Sequence, residues 1–148
     1  WYNGYIMDLE QLQEQAEKDL KINDTELDLE SLKTPQIYNK YLKHYTKYKL
    51  LLTRAESDYS TLKREKWEYY TGKADPKVYE EKPFDLKILK TDLDKYLDAD
   101  IDLQKATQKV KYLETTVDFL ERTLRQVSNR TYTIKNAIEW RRFTSGAI

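Results

Sequence analysis

The chain contains no cysteine, which removes disulfides and thiolate metal sites from consideration. It has three glycines, Gly4, Gly72 and Gly146, each far from the others. A glycine-rich loop that cradles phosphates is therefore impossible, and with it a nucleotide-hydrolysis motif. Three prolines leave little material for turns, so long helices are expected. The single histidine, His44, lies between Lys43 and Tyr45 and makes no metal site by itself. Asp92, Asp94, Asp98, Asp100 and Asp102 are spaced at 2 and 4, which scatters them around a helix and does not match a calcium loop. No apolar run approaches the roughly 20 residues of a membrane span, and no secretory signal pattern is present. No Ser/His/Asp arrangement can be singled out. A hydrolase or transferase has no supporting site, so the expectation is a protein that is not an enzyme and needs no cofactor.

What the chain does contain is charge and tyrosine. Charged residues make up 35% of the 148 positions, and the mean hydropathy is −0.90. Thirteen tyrosines bring the aromatic share to 13%, which argues against intrinsic disorder. The length suits one domain with a modest core. The net charge of zero hides a block pattern. Residues 8–33 hold 9 acids and 3 bases, residues 35–73 hold 9 bases and 4 acids, residues 75–102 hold 9 acids and 5 bases, and residues 103–148 hold 9 bases and 4 acids. Such blocks can pair by folding back, or they can leave one basic surface for an anionic partner.

Residues 1–6 precede the only methionine, Met7, and read as a non-native or upstream remnant. The acids after Met7 suit a first helix over about 8–20. A second short helix is expected over about 25–33. Thr34-Pro35 then reads as a capping hydroxyl with proline at the first helical position. From there a helix of roughly 55 Å runs to Tyr70, with Gly72 as its stop. Its apolar stripe is Tyr41, Tyr45, Tyr48, Leu52, Ala55, Tyr59 and Leu62. Residues 73–85 read as a loop, followed by a shorter helix from Asp85 to Tyr96. Leu103, Ala106, Val110, Leu113, Val117, Leu120, Leu124 and Val127 alternate at 3 and 4 over four heptads, a coiled-coil seam. Ser128-Asn129-Arg130 is expected to end it, with Thr131 capping a last helix over 132–144. That last helix places Tyr132, Ile134, Ala137, Ile138, Trp140 and Phe143 on more than one face, which calls for burial on most sides, against the chain's own core or a second subunit. The expected architecture is all-α: two long antiparallel helices with short flanking helices.

One stretch concentrates chemistry. Residues 62–73 hold four cations, Lys63, Arg64, Lys66 and Lys73, and three large aromatics, Trp67, Tyr69 and Tyr70. Cations neutralise phosphates, and aromatic faces stack on unpaired bases. At about 100° per residue, Lys63, Lys66, Trp67 and Tyr70 share one sector while Arg64 points elsewhere. The bland alternative is a helix that outruns its core, with terminal cations suiting its dipole. A second stripe, Lys40, Lys43, Lys47 and Arg54, reads as a solvated basic face or a partner of the acidic block 8–33.

The order of these pieces, with Lys-x-Lys-x-x-Tyr-Tyr-Thr-Gly over 64–72 in the form Arg64-x-Lys66 and a closing Tyr132-Thr-Ile-Lys-Asn-Ala-Ile-Glu-Trp-Arg-Arg-Phe143, resembles the phage UvsY family of recombination mediator proteins. The resemblance spans nearly all of 7–146. It implies a single helical mediator domain over 7–148 that assembles into a ring-like homo-oligomer and binds single-stranded DNA. It further implies loading of a RecA-like recombinase onto DNA covered by the phage single-strand-binding protein, in the cytoplasm of the infected bacterial host and with no membrane. Arg64 and Lys66 occupy the family's pair of basic residues, within a DNA-binding segment of Lys63, Arg64, Lys66, Trp67, Tyr70 and Lys73. Glu65 and Trp67 depart from the small and apolar residues of the family pattern, and Glu65 adds a repulsive charge. Residues 131–146 would carry oligomerisation. The competing expectation is a coiled-coil structural or adaptor protein with no nucleic-acid role.

Overall fold

A computed structural model describes residues 7–146, and among them the ordered elements are helical. Helix α1 spans Leu9–Leu20, α2 Leu27–Tyr70, α3 Pro76–Glu81, α4 Leu93–Ala99 and α5 Ile101–Thr144, with a 3₁₀ turn at Lys90–Asp92 before α4. The fold is all-α, as the periodicity predicts. The proposed remnant 1–6 lies outside the described residues.

The boundaries have local causes. Asp8 caps α1 in a reciprocal pair with Gln11: the Gln11 amide donates to the Asp8 carboxylate at 2.8 Å, and the Gln11 side chain accepts from the Asp8 amide at 3.0 Å. Helix α2 ends where Gly72 takes φ +77°, and the Lys73 amide closes back onto the Glu68 carbonyl at 2.8 Å. Gly72 is thus the stop that the sequence predicts. Asp75 caps α3, with Pro76 in its first turn, inside a stretch expected to be loop. The helix expected from Asp85 is shorter: residues 83–89 are not helical, and helix begins only with the 3₁₀ turn.

Two breaks expected in the long helices do not occur. Helix α2 passes through Pro35 without stopping, so no separate helix covers 25–33. Proline removes the amide that would pair with the Ser31 carbonyl. The guanidinium of Arg130 grips the same turn: it donates to the Glu30 carbonyl, the Glu30 carboxylate, and the Thr34 hydroxyl at 2.9 Å. Thr34 is therefore a buttress inside the helix and not a cap. Likewise, α5 runs through Ser128-Asn129-Arg130, and no separate helix begins at Thr131. The buried stripe Val127, Arg130, Ile134 keeps the 3-and-4 spacing across the expected break, and packing overrides the weak helix formers there.

The chain divides into two compact units, one comprising residues up to Tyr48 with those from Thr116, the other Lys49–Thr115. Each holds part of α2 and part of α5. In the first unit the two run antiparallel, with Glu30 meeting Arg130 and Asp24 meeting Arg141 at 3.8 Å. Its core buries Leu12, Ala16, Ile37, Tyr41, Tyr48, Val117, Leu120, Val127 and Ile134. Asp19 of α1 accepts from Lys40 and Tyr41 of α2, each at 2.7 Å. In the second unit Leu51, Leu52, Ala55, Leu97, Leu103 and Leu113 are buried, and Lys66 at the end of α2 meets Asp102 at the start of α5.

Candidate nucleic-acid interface

The cation-rich stretch 62–73 is the last two and a half turns of α2 and its stop, all within the second unit. What surrounds each side chain sorts the segment into two kinds of residue.

Lys66 and Tyr70 face inward. The Lys66 side chain keeps 18% of its exposure and binds Asp102 at 2.8 Å and buried Asp100 at 3.3 Å. The Tyr70 hydroxyl donates to Asp100 at 2.7 Å. Asp100 also caps α5, accepting from the Leu103 amide at 2.9 Å. Burial pushes the Asp100 carboxyl up. Its bonds from Tyr70, Leu103 and Lys66 outweigh that and hold it below the usual carboxylate range. Burial lowers the Lys66 ammonium, but Asp102 and Asp100 raise it above the usual lysine value. Burial and Asp100 push the Tyr70 phenol up. The Tyr70 ring lies edge-on to Tyr69 at 5.1 Å and to Phe84 at 5.2 Å, and tilted against Tyr96 at 5.8 Å. Tyr69 stacks on Tyr79 at 5.5 Å and donates to the Lys82 carbonyl at 3.1 Å. These half-buried rings form an aromatic cluster at the end of α2.

Arg64, Trp67 and Lys73 face outward. The Arg64 side chain is 69% exposed, with only a 3.6 Å contact to Glu68 one turn on. Trp67 is 39% exposed, and the Lys73 ammonium stands 4.4 Å from its ring centroid. Trp67 and Lys73 line a cleft of about 600 Å³ closed on its other side by residues 84–93. Lys63, also exposed, lines a different and shallower cleft with Tyr59 and Gln104. The sector that helical spacing predicts is thereby split. Trp67 and Lys73 come together, Lys66 and Tyr70 turn to Asp100, and Lys63 sits apart. Sequence reasoning missed the opposite wall, Phe84 with Lys87 and Lys90. The interleaving of Lys82, Lys87 and Lys90 with Phe84, Leu86 and Leu89 was the signal for it.

The second basic stripe is divided between the units. Lys40 is paired with Asp19 at 2.7 Å, and Lys43 lines a shallow depression with His44. Burial lowers the His44 imidazole, and Lys40 and Lys47 lower it further against Asp19. Of the five closely spaced aspartates, Asp100 and Asp102 hold Lys66. Among the described residues no group of His, Cys, Asp or Glu is placed to hold a metal ion, and no helix is long and apolar enough to cross a membrane.

At the end of α5, Ile134 is 2% exposed and belongs to the core of the first unit, and Ala137 is half-buried. Tyr132, Trp140 and Phe143 are about two-thirds exposed, at 67%, 66% and 66%. The Trp140 and Phe143 rings stack at 5.8 Å. At about 100° per residue these three share the face opposite Ile134, while Ile138 lies on a flank.

The family described as recombination, repair and single-stranded-DNA-binding protein UvsY matches the chain over residues 15–147. The recombination protein UvsY of Enterobacteria phage T4 is 28% identical over 140 residues, covering 95% of this chain and 99% of the relative. Crystal structures of the bacteriophage T4 recombination mediator protein UvsY superpose well. One gives a TM-score of 0.83 at 27% identity, covering 95% of this chain and 99% of the other. A second lattice gives 0.80 at 26% identity, covering 90% and 98%.

Proposed function

The chain belongs to the UvsY family of recombination, repair and single-stranded-DNA-binding proteins, and from that premise we propose that it works as a recombination mediator whose DNA contacts lie at the end of α2. It loads a RecA-like recombinase onto single-stranded DNA covered by a single-strand-binding protein, in the cytoplasm of an infected bacterial host. The observation that carries the DNA site is the pairing of exposed Arg64 and Lys73 with half-exposed Trp67 at one helix end. Cations there neutralise phosphates without a protein carboxylate holding them tightly, and an indole face is open to a base.

Lys66 and Tyr70 act on the DNA through placement. Their bonds to Asp100 fix the last turns of α2 against the start of α5, which sets the direction of Arg64 and Trp67. Lys63 adds a cation on a neighbouring face. The segment 62–73 is thus the DNA-binding segment, and 131–146 carries assembly into a ring-like homo-oligomer through Tyr132, Trp140 and Phe143.

Fluorescence anisotropy with a labelled single strand tests this reading. Binding is expected at low salt, weakening steadily as salt rises, and weaker for duplex, whose bases are already stacked. No binding at low salt would leave the adaptor reading in its place.

A further inference from the structure

The cleft between Trp67 and residues 84–93 is lined mostly by residues outside the segment 62–73. We propose that it receives one unstacked nucleobase from each stretch of bound single strand, with Lys73, Lys87 and Lys90 engaging the flanking phosphates. This deepens the single-strand reading above and rests on it.

The size is right. About 600 Å³ falls within the range of sites that enclose small molecules, and it admits a purine or a pyrimidine. The walls are right as well. Trp67, Phe84, Leu86 and Leu89 supply aromatic and aliphatic surface. The Lys73 ammonium stands over the Trp67 ring at 4.4 Å from its centroid, at the end of a flexible side chain that a stacking base can displace toward its own phosphate.

The charge is what selects a nucleotide over an uncharged apolar ligand or a peptide. Residues 75–102 carry 9 acids and only 5 bases, yet the charged residues of that stretch lining the cleft are Lys87 and Lys90. With Lys73 they make three cations and no carboxylate on one apolar cleft. Apolar walls with cationic edges match a flat base on an anionic backbone. Because the walls offer few polar groups to read a base edge, any base is accepted.

The test compares oligo-dT with a strand of equal length built of abasic tetrahydrofuran phosphodiesters, in fluorescence anisotropy over a range of salt. The wild-type protein is expected to bind the abasic strand roughly 5- to 150-fold more weakly, the range of one stacked base. Leu89→Trp fills the cleft from a side chain that is largely exposed, so the fold does not depend on it. It should bring oligo-dT down to the affinity of the abasic strand and leave the salt slope as in wild type. Lys87→Ala with Lys90→Ala should flatten that slope by roughly 0.7 for each phosphate that is no longer neutralised. Equal wild-type binding of the two strands overturns the base pocket and leaves the single-strand reading standing. Discrimination that survives Leu89→Trp places the stacked base elsewhere and also overturns it. Failure of both strands to bind at low salt overturns pocket and function together.

Discussion

Arg64 and Lys66 stand two residues apart in sequence, and their surroundings give them different work. Arg64 has one loose partner on its own helix, whereas Lys66 closes a network with Asp100, Asp102 and Tyr70. Exposed pairs contribute little to stability, while removing Lys66 leaves the buried Asp100 carboxylate without its cation. Arg64→Ala is therefore expected to weaken single-strand binding, flatten its salt slope by roughly 0.7 for each protomer engaged, and leave the melting temperature unchanged. Lys66→Ala should lower the melting temperature as well as the affinity. Anisotropy titrations over salt, paired with thermal melts, separate the two. A Lys66→Ala protein that melts like wild type would show that the network does not hold the segment.

The carboxylates of this network, together with Asp19 of the first unit, set an acid dependence. Asp100, Asp102 and Asp19 are held below their ordinary value of 3.8, so their folded forms bind protons less readily than their unfolded forms. The stability they contribute is complete above that value and is lost as pH falls through it toward the lower folded values. Melting temperature is expected to be flat near neutral pH, to decline slightly below about pH 6.5 as His44, lowered by its burial, resists taking up its proton, and to drop steeply below about pH 4 as these carboxylates protonate. Asp100→Asn should start lower and fall less steeply. If the wild-type curve is flat through pH 3, the carboxylates do not carry this share of the fold.

At the scale of the helices, the periodicity of the apolar residues was the legible part. The seam from Leu103 to Val127, the helix before Gly72 and the start after Met7 all follow from spacing and capping chemistry. The continuity of α2 and α5 was not legible, because Pro35 and Ser128-Asn129-Arg130 are local stop signals whose override is tertiary. One residue, Arg130, sits at both places: it continues the buried stripe of α5 and grips the turn of α2 ahead of Pro35. A lone arginine after a polar pair reads as surface in sequence, and only the antiparallel register brings it to Glu30. The outward face of Trp67 was equally hidden, since helical spacing gives a sector but not which neighbour fills it.

That double role makes Arg130 the sharpest test of the first unit. Arg130→Ala is expected to cost about 3–5 kcal/mol, because Glu30 is left buried with only Lys33, at 2.8 Å on its own helix, to offset its charge. Arg130→Met with Glu30→Met should recover much of that loss, since two apolar side chains need no partners. Urea denaturation of the three proteins gives the comparison. A cost for Arg130→Ala under about 1 kcal/mol, typical of surface pairs, would mean that the ion pair does not brace the helix.

For the whole molecule the question is what covers the end of α5. A helix has one core-facing stripe, and here Val127, Arg130 and Ile134 occupy it. Tyr132, Trp140 and Phe143 lie on the opposite face, with two of the rings already stacked on each other. The assembly proposed above would cover this face with another subunit, as exposed aromatic surface of this kind commonly marks an interface. Trp140→Ser with Phe143→Ser should therefore give a helical protein of 17.8 kDa in light scattering, without loss of melting temperature beyond that of dissociation. Ile134→Ser should instead lower the stability of the subunit itself. Assembly also bears on DNA. In the proposed ring, subunits would engage one strand at a high effective concentration, so a strand spanning several sites would be held far more tightly than a short one. The Trp140/Phe143 double variant should then bind a strand of one site size like wild type, but a long strand about 100-fold or more weakly. Equal loss on short and long strands would place these aromatics in the DNA contact rather than between subunits. No loss on either would mean that the protein binds DNA one chain at a time.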